Sequence, residues 1–208
     1  MSLLQIEAVS VTFGGLAALR QVGLTINEGE IVGLIGPSGS GKSSVLRAGL
    51  IPAVRNGTIA GSDDWLITTM VPGPTPFEKL ANAVRTIAAT PQGHLGSALR
   101  TDPSRLGATI ARIAGGGTVL LVIDQFEELF TMAEDAGDRD RFLDALVAAL
   151  AECAGSLRVV IGLRADFYDR PLEHAAFGRA LSRCVETVTP LTAAEMEQAI
   201  AGPAGRVG

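Results

Sequence analysis

The segment Gly36-Pro37-Ser38-Gly39-Ser40-Gly41-Lys42-Ser43 has the residue types and spacing to hold a phosphate. In the pattern GxxxxGK[ST], glycines let the backbone turn so that successive N–H groups converge on a β-phosphate. Lys42 then brings a point charge to the β- and γ-phosphates, and the Ser43 hydroxyl can ligate Mg2+. Ser44 continues into a helix whose positive end adds to the attraction. Gly36 to Ser44 therefore reads as the cradle of a nucleoside triphosphate.

A second stretch, VLLVIDQFEELF at 119–130, supplies carboxylates. Its apolar run ends at Asp124, which puts that side chain at the C-terminal edge of a sheet, where ligands of open α/β sheets bind. Asp124 is expected to hold Mg2+ opposite Ser43. Glu127 and Glu128 follow as a helix begins. One of them can polarise an attacking water, because a base must stand within hydrogen-bond reach of it. The competing role for both is to complement a helix dipole. Gln125 occupies the position after Asp124 where many fast P-loop ATPases carry a catalytic glutamate, which points to slow turnover. Arg164, closing VVIGLR, can reach a γ-phosphate from the same edge or pair with Asp166 or Asp169. Lys42, Glu127, Glu128 and Arg164 are the expected catalytic group.

These residues need a scaffold that brings them to one edge. IVGLI at 31–35 is short, continuous and rich in β-branched residues, as a strand buried on both faces should be. LLQIEAVSVTF roughly alternates, and GLTIN followed by EGEIVGLIG suggests a turn between two strands. Helical spacing follows in KSSVLRAGLIPAV, PFEKLANAVRTIAA, SRLGATIARIA and RDRFLDALVAALAEC, with strands WLITTMV, TVLLVID, LRVVIGL and VETVTP between or after them. Alternation of this kind predicts a three-layer α/β P-loop NTPase with a mainly parallel sheet and an N-terminal β-hairpin extension. Three segments are expected: 1–35 leading into the core, 36–190 as the core, and 191–208 as the start of a helical lid.

Composition narrows the function. In 208 residues the net charge is −5, so no global basic field draws in nucleic acid or an anionic membrane. Cys153 and Cys184 stand apart from any metal-binding spacing. The first residues lack the basic start of a signal peptide, and no apolar run reaches the ~18 residues of a membrane span, which points to the cytoplasm. His94 and His174 suit surface roles, Trp65 suits core packing, and DAGDRDRFLD suits a solvated helix start with Asp138 or Asp140 as N-cap.

From about residue 36 onward the chain resembles the STAND signalling NTPases, relatives of NACHT and AAA+ proteins, and within them the bacterial group that precedes WD-type repeats. GPSGSGKSSVLRAGLIPA, WLITTMVPGPTPFEKLA, VLLVIDQFEELF, RVVIGLRADFYDR and TPLTAAEMEQAIAGPA carry the likeness. It implies ATP with Mg2+, a Walker B acid pair at Glu127 and Glu128, a sensor arginine at Arg164, and a lid beginning in TAAEMEQAIAGPAGRVG. Self-association or a partner protein would act through further C-terminal domains. The first ~35 residues resemble instead an ABC transporter ATPase of the branched-chain amino acid kind, in which an aromatic at Phe13 stacks on adenine; its alternative role is packing within the hairpin. RLGATIARIAGGG is not an ABC signature, Gln125 replaces the expected Glu, and Arg164 stands where a His is expected. A slowly hydrolysing ATP switch is thus the leading expectation. The alternatives are an ABC transport ATPase coupled to a permease and a degenerate interaction module.

Overall fold

The computed structural model describes residues 5–9, 12–13, 16–17, 22–25, 29–58, 61–89, 93–153 and 155–189. The strands are β1 (Gln5–Val9), β2 (Thr12–Phe13), β3 (Leu16–Ala17), β4 (Val22–Thr25), β5 (Ile31–Gly36), β6 (Leu66–Met70), β7 (Val119–Ile123), β8 (Leu157–Arg164) and β9 (Val185–Thr187). The helices are α1 (Lys42–Ser44), α2 (Ile51–Arg55), α3 (Pro76–Ile87), α4 (Leu95–Thr101), α5 (Arg105–Ala114), α6 (Glu128–Thr131), α7 (Ala136–Glu152), α8 (Asp169–Glu173) and α9 (Ala175–Leu181). A π-helical turn, Val45–Leu50, joins α1 to α2.

Five strands form one parallel sheet in the order β6-β7-β8-β5-β9. Every residue of β5 and β7 is buried, as the apolar runs IVGLIG and VLLVI require of strands covered on both faces. On one face, Phe77, Leu80, Leu106, Phe142 and Phe177 bring α3, α5, α7 and α9 onto the sheet. On the other, Val45, Leu46, Leu50 and Val54 pack the helix after the phosphate loop against Val32, Leu34 and Val122. Each such side chain, once buried, contributes roughly 1.5–3 kcal/mol. Three layers result, and the fold is that of an α/β P-loop NTPase.

β8 lies between β5 and β7, and this register assembles the site. Gly36 at the end of β5 pairs with Arg164 at the end of β8, while Ile123, the residue before Asp124, pairs with Ile161. Phosphate loop, arginine and carboxylates thus leave the sheet along one edge.

The N-terminal extension is more than a single hairpin. β1 pairs antiparallel with β4 and β2 with β3, in two separate two-stranded sheets. Among the described residues, the strands on either side of the expected turn between GLTIN and EGEIVGLIG therefore belong to different sheets. β4 is matched to β1, whereas β5 bonds to β8 and β9. α4 was not expected from LGSALRT, whose three buried positions, Leu95, Gly96 and Leu99, include only two large apolar residues. The proposed lid at 191–208 lies outside the described residues.

Candidate functional site

Sterics explain why a glycine closes β5. A Cβ on Gly36 would come within 2.2 Å of the Val188 carbonyl oxygen and 2.7 Å of Ser40 Oγ. Beyond it, Gly39 and Gly41 have φ of 78° and 90°, a left-handed backbone that favours residues without a Cβ. Ser40 N–H donates to the Pro37 carbonyl at 3.2 Å, and Val45 N–H to Gly41 at 2.9 Å, so a tight turn feeds directly into the helix. Lys42 Nζ donates to the carbonyls of Gly36 and Pro37, each at 2.8 Å, and lies 3.5 Å from Ser40 Oγ. Burial is the main reason its pKa falls below 10.5; Arg164 adds to the drop, and Glu127 and Asp124 oppose it.

Asp124 is 4% exposed and fixed by its own backbone, whose N–H donates to the Met70 carbonyl at 2.9 Å. Its Oδ1 accepts from Ser43 Oγ at 2.9 Å and from Gln125 N–H at 3.0 Å. Residues 81 apart in sequence thus meet at the mouth of the loop. Gln125 takes φ 52°, the one left-handed non-glycine among the described residues. Such a conformation costs an L-residue roughly 1–2 kcal/mol. Phe126 holds the turn from the other side: its N–H donates to Gly162 at 2.8 Å, and its ring stacks on Phe177 at 5.5 Å.

The two glutamates part company here. Glu127 borders a cavity of about 330 Å³ together with Ser38, Lys42, Ser43, Asp124 and Arg164. Its Oε2 accepts from the Arg164 backbone N–H at 3.3 Å. Glu128 instead lies beside Gly73 and is not among the residues bordering that cavity. The Arg164 side chain grips Asp166 with Nε at 3.0 Å and Nη2 at 2.6 Å, and sits 5.4 Å from the Phe167 ring. This hydrogen-bonded pair raises the arginine's pKa and lowers that of Asp166.

A family model described as Novel STAND NTPase 1 matches residues 4–208. The chain belongs to this family. The match begins ahead of the phosphate loop, so it takes in the front whose sequence resembles ABC ATPases. Curated relatives sharing that N-terminal region include the zinc import ATP-binding protein ZnuC of Jannaschia sp., 51% identical over 55 residues that make up 26% of this chain and 22% of that protein. A putative ABC transporter ATP-binding protein of Streptomyces avermitilis is 40% identical over 99 residues, 44% of this chain and 17% of that one. The chain therefore spans about a fifth of the length of these relatives. Among solved structures, the Aeropyrum pernix ORC2 protein in its ADP form is similar with a TM-score of 0.59 at 14% identity, covering 85% of this chain and 46% of that one. Drosophila ORC bound to DNA gives 0.56 at 16% identity, over 86% and 41%. Both likenesses are of fold.

The nSTAND1 chain is thus a nucleotide-binding P-loop NTPase, and its edge gathers most of the residues expected from sequence. Gly36 to Ser44, Asp124, Glu127 and Arg164 converge, and Glu128 stands aside. The adenine-stacking role of the Phe13 ring lies outside the described residues. Three features escaped sequence reasoning. Arg47 places Nη2 3.1 Å from Asp124 Oδ2, Gln125 is left-handed, and Gly162 leaves room for Asp124. Only the glycine inside a strand pattern gave any hint.

Elsewhere, the helix-start charges need correction. Asp135, not Asp138 or Asp140, caps α7, accepting from Gly137 N–H at 2.8 Å. Asp138 is 5% exposed and pairs with Arg100 of α4 at 2.5 Å, so it is a buried anchor between helices. His174 caps α9 through Nδ1, and its Nε2 lies 3.1 Å from Asp144. Trp65 packs on the core, with Arg158 at 5.6 Å from its ring.

Proposed function

We propose that this nSTAND1 chain is an ATP-binding, slowly hydrolysing switch module for signal transduction, and that its nucleotide state governs association with itself or a partner protein. The observation carrying this reading is the Ser43–Asp124 hydrogen bond at 2.9 Å, made at a cavity that Lys42, Glu127 and Arg164 also border. ATP is favoured because relatives that share the N-terminal region are described as ATP-binding proteins.

The residues suit Mg2+. Asp124 Oδ2 is buried and accepts no hydrogen bond among the described residues, so the carboxylate has acceptor capacity to spare. Phosphate oxygens and water would complete the ion's coordination, as is usual for Mg2+ at phosphate sites. Ser43 and Asp124 would hold it, and its charge would offset that of the phosphate oxygens.

The protein's own groups divide the work. The loop N–H groups and Lys42 bind the phosphates, for which Lys42 must release the Gly36 and Pro37 carbonyls. Glu127, held by the Arg164 backbone, orients and deprotonates a water. Arg164 responds to the γ-phosphate by leaving Asp166. Gln125 in place of an acid keeps the clock slow. The module is placed in the cytoplasm as part of this reading. No helix among the described residues is long and apolar enough to cross a membrane.

Single-turnover hydrolysis of ATP tests the assignment. Glu127→Gln is expected to slow it about 10²-fold or more, the usual range for a lost general base, while Glu128→Gln stays near wild type. The reverse pattern would refute the assignment. The N-terminal identity to import ATPases keeps a transport reading in view; an ATP-dependent dimer of Glu127→Gln in sedimentation would favour it.

A further inference from the structure

Asp124 presents its two carboxylate oxygens to unequal company. Oδ1 accepts from Ser43 Oγ and Gln125 N–H, at 2.9 and 3.0 Å. Oδ2 is buried and accepts no hydrogen bond among the described residues. What faces it is the Arg47 guanidinium, with Nη2 at 3.1 Å but its N–H directed elsewhere. Arg47 comes from the π-helical turn and its side chain is 66% exposed, against 6% for Asp124. An exposed cation thus leans over a buried anion.

We propose that Arg47 is a built-in competitor of the divalent cation at Asp124. The guanidinium neutralises the buried carboxylate while the site is empty, and its charge opposes the metal that arrives with the phosphates. This inference rests on Asp124 being the metal-side carboxylate of the proposed function.

Two observations favour competition over a role in aiming the carboxylate. The Asp124 side chain is already oriented through Oδ1, and its backbone is tied to Met70, so its direction does not depend on Arg47. The arginine also has room to withdraw. A cavity of about 250 Å³ on this side of Asp124 is lined by Leu46, Arg47, Ile51, Met70 and Val122. A buried carboxylate stripped of its monovalent partner attracts a divalent ion more strongly, and repulsion between that ion and the nearby guanidinium disappears.

The test is the factor by which Mg2+ strengthens binding of a non-hydrolysable ATP analogue, from titrations of the full chain with Mg2+ and with EDTA. Arg47→Gln should raise that factor about three- to tenfold, as expected for removing one charge a few ångströms from a divalent ion near water. Arg47→Lys, which keeps the charge, should stay near wild type. A factor unchanged or lowered in Arg47→Gln, with Asp124→Asn reducing it, would overturn the inference and leave the metal assignment standing. A factor indifferent to Asp124→Asn would overturn both. Thermal melts establish that each variant is folded, and Arg47→Met replaces Arg47→Gln if that variant is not.

Discussion

Gly36→Ala should damage the protein where Gly33→Ala, three residues earlier on the same strand, barely does. The methyl at 36 would stand 2.2 Å from the Val188 carbonyl oxygen, a backbone atom, and 2.7 Å from Ser40 Oγ. Ordinary contact begins near 3.4 Å, so more than an ångström of separation is needed between β5 and the segment after β9. That displacement works against the Val188 N–H to Ile35 carbonyl bond, now 2.7 Å. Overpacking of this type costs about 1–3 kcal/mol and a lost hydrogen bond about 0.5–1.5, so a loss of roughly 2–4 kcal/mol is expected. At Gly33 the one close approach is to Leu181 Cδ1, at 2.7 Å, the far end of a side chain rather than backbone, and Ile35 lies at an ordinary 3.7 Å. A change below about 1.5 kcal/mol is expected there. Urea denaturation of both variants decides the matter through the midpoint at constant slope. Equal midpoints for the two variants would refute the packing argument, and with it the view that the base of the phosphate loop is braced by residue 188.

Two further perturbations bear on charge. Burial lowers the Lys42 pKa below 10.5, so between the lowered value and 10.5 the unfolded chain binds more protons and stability rises with pH. Lys42→Met should flatten that rise in denaturant titrations on the alkaline side below pH 10.5, and an unchanged slope would contradict the burial of the ammonium. Asp166→Asn frees the Arg164 guanidinium from its two-bond grip. It should leave the melting curve alone and increase the preference for ATP over ADP; an unaltered preference would separate Arg164 from γ-phosphate sensing.

Much of this molecule could be read from the order of its residues, for physical reasons. IVGLIG and VLLVI announce strands buried on both faces because no polar residue interrupts them, and a parallel sheet needs such strands. The phosphate loop is legible because its chemistry depends on residues close in sequence. Asp124 and Arg164 are legible because each closes an apolar strand. What stayed hidden depends on approach in space. Nothing near Arg47 marks it as the partner of a carboxylate 77 positions away, and only the packing of the π-helical turn against β7 brings them together. Glu127 and Glu128 are chemically equal in the sequence, and they separate because successive residues entering a helix point about 100° apart, so that Glu127 borders the cavity and Glu128 does not. Asp138 looked solvated within a run of charges until α4, itself unforeseen, brought Arg100 over it.

Under the proposed function, the edge formed by β5, β7 and β8 is a nucleotide switch. Calorimetric titration of the chain with MgATP and with MgADP, beside Lys42→Ala, tests it most directly. Saturable binding that prefers ADP and vanishes in Lys42→Ala is the predicted result. A folded chain that binds neither nucleotide, or binds both equally well without Lys42, would contradict it.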